Sequence, residues 1–276
     1  MNILVWSLAG VVAAYLAVLA RMILGQRSYI YFPPRRYPSG LPDLGFKIEE
    51  ITFPAADGLP LNAWWVKPAK KGAPVFLYCH GNASTIHDLA DIVPEFQKPG
   101  FGMLIFDYRG FGKSPGSPTE RGLYQDVSGA YQWLRRRGIK PGQIFLWGKS
   151  LGGAVAAWLA CHEPVAGLAL ESPFTSIHDM ARLNYPWLLV PRALVWDRFP
   201  TEEYVSRCTC PVLVVHGVDD RDTPLAMGRR VYDAAQGPKV FIPVAGMGHG
   251  ENIVDKAAKK KVMAFVAMAV KRAKRR

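Results

Sequence analysis

A serine between glycines is the residue of this 276-residue chain best suited to covalent chemistry. Ser150 stands in Gly148-Lys149-Ser150-Leu151-Gly152-Gly153, after the apolar run 144–147 and before a small-residue stretch, 154–160. A G-x-S-x-G spacing between a strand and a helix is typical of a nucleophile held in a strained turn, because neighbouring side chains would clash there. A phosphate-binding loop is the alternative, but it requires glycine where this chain has Gln143. The pattern therefore favours a nucleophilic serine over a nucleotide site.

A serine hydroxyl reacts readily only when a base takes its proton and a carboxylate orients that base. His249 lies in a glycine-rich loop, 246–250, just after the last predicted strand. With a nucleophile in such a turn, the acid comes between the serine and the histidine along the chain. Three aspartates follow the preceding predicted strand, and a glutamate ends an earlier one. Spacing alone leaves all four open as the acid: Asp219, Asp220, Asp222 and Glu171.

Acyl transfer also needs donors for the negative charge that develops on the attacked carbonyl oxygen. One donor is normally the backbone N–H after the nucleophile, here Leu151, and the other follows an earlier strand. The sequence His80-Gly81-Asn82-Ala83 ends such a strand. We therefore expect the second donor at Asn82 or Ala83, and we interpret His80 as bracing this loop.

The elements that must position these residues alternate between short apolar strands and helices. Asp57-Gly58 predicts a hairpin turn between the first two strands. The alternation that follows predicts a mostly parallel sheet with helices on both faces, and each candidate lies at the carboxyl end of a strand, where such sheets bind ligands. The predicted strands are 46–53, 61–66, 75–79, 103–106, 144–147, 166–170, 212–215 and 240–243, and the predicted helices include 84–96, 122–137, 225–235 and a last one through Val270.

The chain begins with a stretch long enough to cross a membrane. Residues 3–20 are almost entirely apolar, and about twenty such residues span a bilayer as a helix. A cleaved signal peptide is the alternative, but only Met1 and Asn2 precede the apolar run, so an uncleaved anchor is favoured. We expect an anchor at 1–25, an extended connector at 26–44 and a catalytic domain at 45–276. Basic residues after the apolar run place that domain in the cytoplasm.

The formal net charge of +12 raises nucleic acid or an anionic membrane surface as partners. Much of the excess lies in the last helix and the C-terminal tail, 271–276, and more follows the apolar run, at Arg21, Arg27, Arg35 and Arg36. No nucleic-acid-binding motif accompanies it, so we expect no nucleic-acid partner. The four cysteines form neither a disulfide framework nor a zinc ligand set, and we expect no metal and no cofactor.

An insertion at about 173–207 lies where a lid could cover the serine. It is rich in aromatic and aliphatic residues, and its prolines exclude one long helix. The alternatives are a cover for the sheet and a wall for an apolar substrate, and we favour the wall because the domain is tethered near lipid. The expected substrate-binding residues are Trp187, Leu188, Leu194 and Trp196.

Four stretches together resemble the α/β-hydrolase superfamily, specifically its membrane-anchored serine hydrolases of the bud-emergence and α/β-hydrolase-domain type. They are 80–83, 106–114 (Phe-Asp-Tyr-Arg-Gly-Phe-Gly-Lys-Ser), 148–153 and the loop from His216-Gly217 through Asp220 to Pro224. The resemblance implies an α/β-hydrolase fold with a catalytic triad of Ser150, Asp220 and His249 and without a cofactor. It does not imply a substrate.

The function expected from these residues is hydrolysis of a carboxylic ester or thioester with a short-to-medium apolar acyl group, a small-molecule substrate. Two alternatives remain at this stage. One is a serine peptidase on the same fold, and the other is a catalytically silent scaffold held at the membrane.

Overall fold

A computed structural model describes residues 2–34, 40–251, 253 and 255–273. Arg35, Arg36 and the last three residues of the basic tail, 274–276, lie outside the described residues. Within the described part, one sheet of eight strands forms the centre of the molecule, in the order β1-β2-β4-β3-β5-β6-β7-β8. The strands are β1 Glu49–Pro54, β2 Pro60–Val66, β3 Val75–Cys79, β4 Gly102–Phe106, β5 Ile144–Lys149, β6 Gly167–Glu171, β7 Val212–Gly217 and β8 Lys239–Val244.

The sheet is antiparallel at one edge and parallel elsewhere, which confirms the predicted mostly parallel sheet. β1 pairs with β2 and β2 with β4 in antiparallel register, and the remaining pairs from β4 to β8 are parallel. The predicted hairpin turn joins β1 to β2, with Gly58 at a φ of 88° that favours glycine. Every residue of β3, β6 and β7 is buried, as continuous apolar runs in a doubly covered sheet require.

Helices cover both faces of the sheet. One apolar cluster joins the sheet to α4, α5 and α8, and a second joins the opposite face to α3 and α9. The helices are α1 Asn2–Leu24, α2 Gln26–Ile30, α3 Val93–Gln97, α4 Glu120–Arg136, α5 Leu151–His162, α6 Ile177–Asn184, α7 Thr201–Arg207, α8 Leu225–Ala234 and α9 Lys256–Ala273.

One predicted helix differs from the structure. The stretch 84–96 forms a 3₁₀ segment, Ile86–Ile92, followed by the short helix α3. Thr85 and Asp88 close a capping box at its start, and Pro94, which lacks an N–H, falls at the first turn of α3. The proline is tolerated there but would interrupt one continuous helix. The sequence pattern was therefore right about a helical crossover and wrong about its form.

The insertion between β6 and the strand that follows it consists of short pieces, as its prolines require. It contains α6, a 3₁₀ turn at Arg192–Leu194 and α7. We call residues 173–207 the lid. The lid contacts α1 at Leu189, which we call the lid tip. The Leu189 N–H donates to the Tyr15 hydroxyl at 3.1 Å.

The N-terminal segment begins with an exposed apolar helix. Residues Ile3–Leu24 have a mean hydropathy of 2.3 and none of the most apolar window is buried in the protein. By length and composition this helix fits either a membrane anchor or a signal sequence. The stretch expected to be an extended connector instead begins with α2, which packs beside the lid.

Candidate active site

Ser150 occupies a strained turn between β5 and α5. Its φ of 50° and ψ of −116° lie outside the regions that residues with a side chain ordinarily adopt. The turn has no room for side chains beside it. A Cβ on Gly152 would lie 2.0 Å from the Cys79 carbonyl oxygen, and a Cβ on Gly148 would lie 2.3 Å from the Gly152 carbonyl oxygen. The two glycines therefore allow the turn to sit against β3 and to hold the serine at the start of α5.

Three side chains from three different loops meet at this turn. Ser150 Oγ lies 2.9 Å from His249 Nε2, and His249 Nδ1 lies 2.8 Å from Asp220 Oδ2. Because an ionised carboxylate only accepts, His249 donates its Nδ1–H to Asp220, and its Nε2 is left to accept the serine proton. Asp220 follows β7 and His249 follows β8, so the parallel sheet brings both loops to the edge that also carries Ser150.

Asp220 is held as a carboxylate by several donors. Burial alone would raise its pKa, but hydrogen bonds from His216 and His249, together with the Thr223 N–H, outweigh burial and hold the pKa well below its usual range. The Thr223 N–H donates to Asp220 Oδ1 at 2.8 Å, and the Asp222 N–H donates to the same oxygen at 3.1 Å. This carboxylate is thus charged and fixed in position throughout the physiological pH range.

His216 lies next to this site, and the sequence analysis assigns it no role. It is fully buried, and its Nε2 lies 2.8 Å from the Thr223 carbonyl oxygen and 3.4 Å from Asp220 Oδ2. The carbonyl accepts, so this nitrogen carries the proton and presents it to the carboxylate as well. The sequence contains a usable signal, because His216 lies near the end of β7 and four positions before Asp220.

Two of the other acidic candidates have separate partners, and the third, Asp222, contributes its backbone N–H to Asp220. Asp219 Oδ2 accepts from the Gly246 N–H at 2.9 Å and so holds the histidine loop. The carboxylate of Glu171 accepts from the Trp147 indole at 3.0 Å and pairs with Lys149 Nζ at 3.0 Å. The geometry therefore distinguishes Asp220 from the acids that spacing left open.

The expected oxyanion residues lie beside the serine. Asn82, Ser150 and Leu151 line the same cavity, and Ala83 has a φ of 54° that turns the backbone sharply after Asn82. The amide side chain of Asn82 is occupied by the N-terminal segment. Its Oδ1 accepts from the Phe32 N–H at 3.0 Å, and its Nδ2 donates to the Ile30 carbonyl oxygen at 2.6 Å. The backbone N–H groups are therefore the candidates for binding an oxyanion.

His80 supports this loop from beneath. Its Nδ1 lies 2.8 Å from the Gly81 carbonyl oxygen, and the Tyr108 hydroxyl donates to the His80 carbonyl oxygen at 3.0 Å. Burial lowers the pKa of His80 to about 4, so the ring is neutral at pH 7 and enclosed in the core. The position agrees with a bracing role for this histidine.

An apolar cavity of about 350 Å³ opens beside Ser150. Leu188 and Leu194 of the lid line it, as expected, together with Phe174 and Met180. Trp187 and Trp196 do not fit that expectation. They lie on the outer surface of the lid, with 57% and 49% of their area exposed. Composition could place four apolar residues near the serine, but the turns of the lid decide which of them face inward.

The opposite wall of the cavity was not anticipated from the sequence. It is formed by the end of α1, by α2 and by Phe32. These residues are Met22, Ile23, Gln26, Tyr29, Ile30 and Phe32. The sequence predicts an anchor and a connector over residues 22–32, because nothing in the local pattern indicates a contact with residues more than 150 positions away.

Comparisons with known proteins agree with this architecture. A family model described as the alpha/beta hydrolase fold matches residues 74–195. An uncharacterized protein of Mycobacterium tuberculosis is 36% identical over 231 residues, which cover 82% of this chain and 81% of that protein. The lysophosphatidylserine lipase ABHD12 of Danio rerio is 36% identical over 222 residues, which cover 70% of this chain but only 58% of the lipase.

A solved structure extends the match to the fold of the whole catalytic domain. An esterase of Pyrococcus furiosus superposes with a TM-score of 0.70 and 21% sequence identity, over 86% of this chain and 96% of the esterase. At that identity the likeness concerns the fold alone. Taken with the sequence relatives, it leads to one conclusion: the chain belongs to the α/β-hydrolase family and is a hydrolase of the ABHD type.

Proposed function

We propose that this hydrolase cleaves carboxylic esters or thioesters of a single apolar acyl chain through an acyl-enzyme on Ser150. The observation that carries the proposal is the unbroken series of hydrogen bonds from Ser150 through His249 to Asp220 at the edge of an apolar cavity. The hydrogen bonds fit the roles proposed for the three residues. Asp220 accepts as a carboxylate, His249 donates from Nδ1, and the Ser150 hydroxyl faces Nε2 of His249.

In the acylation step, Ser150 Oγ attacks the carbonyl carbon while its proton passes to His249 Nε2. The carbonyl π bond opens and its electron pair moves to oxygen, which gives a tetrahedral oxyanion. The imidazolium is stabilised by the Asp220 carboxylate. His249 then returns the proton to the leaving oxygen or sulfur as the bond to the carbonyl carbon breaks. The alcohol or thiol departs, and the acyl group remains on the serine.

The oxyanion has donors available beside the nucleophile. The backbone N–H of Leu151, at the start of α5, is one of them, and that of Asn82 or Ala83 is the second. The positive end of the α5 dipole points toward the same position. Loss of one such donor in other hydrolases costs about 10²- to 10³-fold in rate, so this pair supplies a large part of the expected acceleration.

Deacylation repeats the same steps with water. His249 takes a proton from a water molecule as its oxygen attacks the acyl carbon, and the second tetrahedral intermediate collapses with return of the proton to Ser150 Oγ. The products are the free acid and the restored enzyme. The acyl group passes from the substrate to Ser150 and then to water, and each proton moves among Ser150, His249, the leaving group and water.

The cavity and the relatives both support the proposed substrate class. The lining residues are mostly apolar, which suits an acyl chain, since each buried methylene contributes about 0.8 kcal/mol. The relatives named lysophosphatidylserine lipases act on a lipid with one such chain. We therefore assign monoacyl lipid esters as the preferred substrates, ahead of peptides.

The proposal includes a membrane anchor with a cytoplasmic catalytic domain. The anchor assignment is supported by the contacts of residues 22–32 with the lid, because a segment removed by a signal peptidase would take part of the cavity wall with it. The orientation rests on Arg21 and Arg27 at the end of the apolar helix, which favour the cytoplasmic side.

The decisive test compares three forms of the full chain in detergent. Wild type should react with a fluorophosphonate and hydrolyse p-nitrophenyl esters and lysophospholipids. Ser150→Ala should lose the label and at least 10³-fold in turnover, since the nucleophile is absent. Ser206→Ala, in the last turn of α7 and outside the lining of the cavity beside Ser150, is the matched control and should behave as wild type. Labelling and turnover that persist in Ser150→Ala would refute the mechanism, and faster cleavage of peptide amides than of esters would favour the peptidase.

A further inference from the structure

The cavity beside Ser150 is closed on one side by residues that precede the catalytic domain. We call Met22, Ile23, Gln26, Tyr29, Ile30 and Phe32 the N-terminal wall. Met22 and Ile23 belong to the last turn of α1, the same helix that is apolar and exposed upstream. The helix proposed to anchor the protein therefore ends inside the proposed substrate site.

The N-terminal wall is bonded to the lid. The amide of Gln26 donates from Nε2 to the Leu194 carbonyl oxygen at 3.1 Å and accepts through Oε1 from the Trp196 N–H at 2.8 Å. One residue further on, Arg27 Nε donates to Asp197 Oδ2 at 3.0 Å. These contacts fix α2 against the segment of the lid that follows its 3₁₀ turn.

Residues 30–32 make further contacts, one with the buried Asp197 of the lid and two with Asn82, in the loop after β3. The buried hydroxyl of Tyr31 donates to Asp197 Oδ2 at 3.1 Å, beneath the ion pair of Arg27. The backbone of Ile30 and Phe32 bonds to both ends of the Asn82 amide. Because Asn82 lies in the loop at the carboxyl end of β3 and lines the same cavity as Ser150, the position of the N-terminal wall is set relative to the nucleophile and is not left to a loose tether.

We propose that the N-terminal wall, and Ile23 in particular, selects the length of the acyl chain that the enzyme accepts. The inference rests on the proposed ester hydrolysis and adds the residues that set its specificity. An acyl chain that reaches Met22 and Ile23 buries its methylenes against them, and each methylene so buried changes kcat/KM by about fourfold. A larger side chain at position 23 should block the longer chains, and a smaller one should admit them.

The test measures kcat/KM for p-nitrophenyl esters from acetate to palmitate with the full chain in detergent. Ile23→Trp should lower the ratio of long-chain to short-chain kcat/KM by at least tenfold. Ile23→Ala should move the preferred length in the opposite direction. Leu24→Trp is the matched control, because Leu24 is the next residue of the same helix, is 74% exposed and is not part of the wall. Its ratio should stay within twofold of wild type.

The outcomes separate this inference from the proposed function. A wild-type enzyme that hydrolyses no ester overturns both. An active wild type whose chain-length ratio is the same in Ile23→Trp, Ile23→Ala and Leu24→Trp overturns the role of the wall alone. Fluorophosphonate labelling of each variant reports an intact Ser150 site, so a ratio lost through misfolding would be recognised by loss of the label.

Discussion

At the scale of single residues, the site depends on a carboxylate that two histidines share. His249 contacts Asp220 Oδ2 at 2.8 Å, and His216 approaches the same oxygen at 3.4 Å from the buried side. A hydrogen bond to a charged group contributes about 1.5–3 kcal/mol, which is enough to affect turnover measurably. His216 therefore positions the acid without touching the substrate.

We expect His216→Leu to lower kcat/KM by about 10- to 100-fold, because it removes one donor to Asp220. His216→Gln, whose amide nitrogen can take the place of Nε2, should restore most of the activity. Loss of the donor also raises the pKa of Asp220 toward its usual range, so the acid limb of the pH–kcat/KM profile should move to higher pH in His216→Leu. Equal losses in both variants, with an unmoved acid limb, would indicate a packing role only.

The low pKa of Asp220 has a consequence for stability with a definite sign. A carboxylate whose folded pKa is depressed contributes stability above its unfolded pKa of about 3.9 and loses that contribution as pH falls toward the folded value. Wild type should therefore lose stability below about pH 4 partly through this group. The melting temperature of Asp220→Asn, followed by near-ultraviolet circular dichroism in detergent, should fall less steeply between pH 4 and pH 2.5 than that of wild type.

At the scale of elements, the turn from β5 into α5 must lie directly against the end of β3. Gly152 and Gly153 both lie in the first turn of α5, but their surroundings differ. A Cβ on Gly152 would collide with backbone at 2.0 Å, whereas the nearest atom to a Cβ on Gly153 is at 3.5 Å. The collision partner is the backbone carbonyl of Cys79 at the end of a central strand, so it cannot move aside as a flexible side chain would.

We expect Gly152→Ala to push α5 away from β3 and to destabilise the fold by about 1–3 kcal/mol or more, with loss of fluorophosphonate labelling. Gly153→Ala is the control and should change the free energy of unfolding by no more than about 0.5 kcal/mol. Thermal unfolding and labelling rate measure the two effects. If both substitutions were equally mild, the tight approach of α5 to β3 would not be required for the site.

At the scale of the whole molecule, the N-terminal segment connects the apolar helix α1 to the cavity beside Ser150. If α1 is an uncleaved anchor with the domain in the cytoplasm, a C-terminal reporter that is active only in the cytoplasm should function, and one active only outside should not. N-terminal sequencing should return the start of the chain. A mature N-terminus at or beyond Arg21 would indicate cleavage and would contradict the anchor, and one beyond Ile23 would also contradict the role of the N-terminal wall.

The sequence predicted the sheet and the three central side chains better than it predicted the cavity. Strand β3 was predicted with its observed bounds because a continuous apolar run between turns has few alternative structures. Ser150 and His249 were recognisable because each lies in a short glycine-rich pattern. The choice of Asp220 among its neighbours required the family resemblance. The inward turn of Leu188, the outward turn of Trp187 and the wall at Ile23 depend on contacts between distant segments, which no local pattern encodes.

The hydrogen bond between the Leu189 N–H and Tyr15 bears on how this enzyme would meet its substrate. Tyr15 lies roughly 13 Å from Leu24 along α1, at about 1.5 Å per residue, so an anchored α1 would hold the lid tip within one leaflet. The relevant quantity would then be the mole fraction of ester in the lipid surface and not its molarity in water. Dilution of a lysophospholipid with an inert lipid, at constant total amount of ester, should slow hydrolysis in proportion. A rate that ignored such surface dilution would mean that the substrate arrives through the aqueous phase.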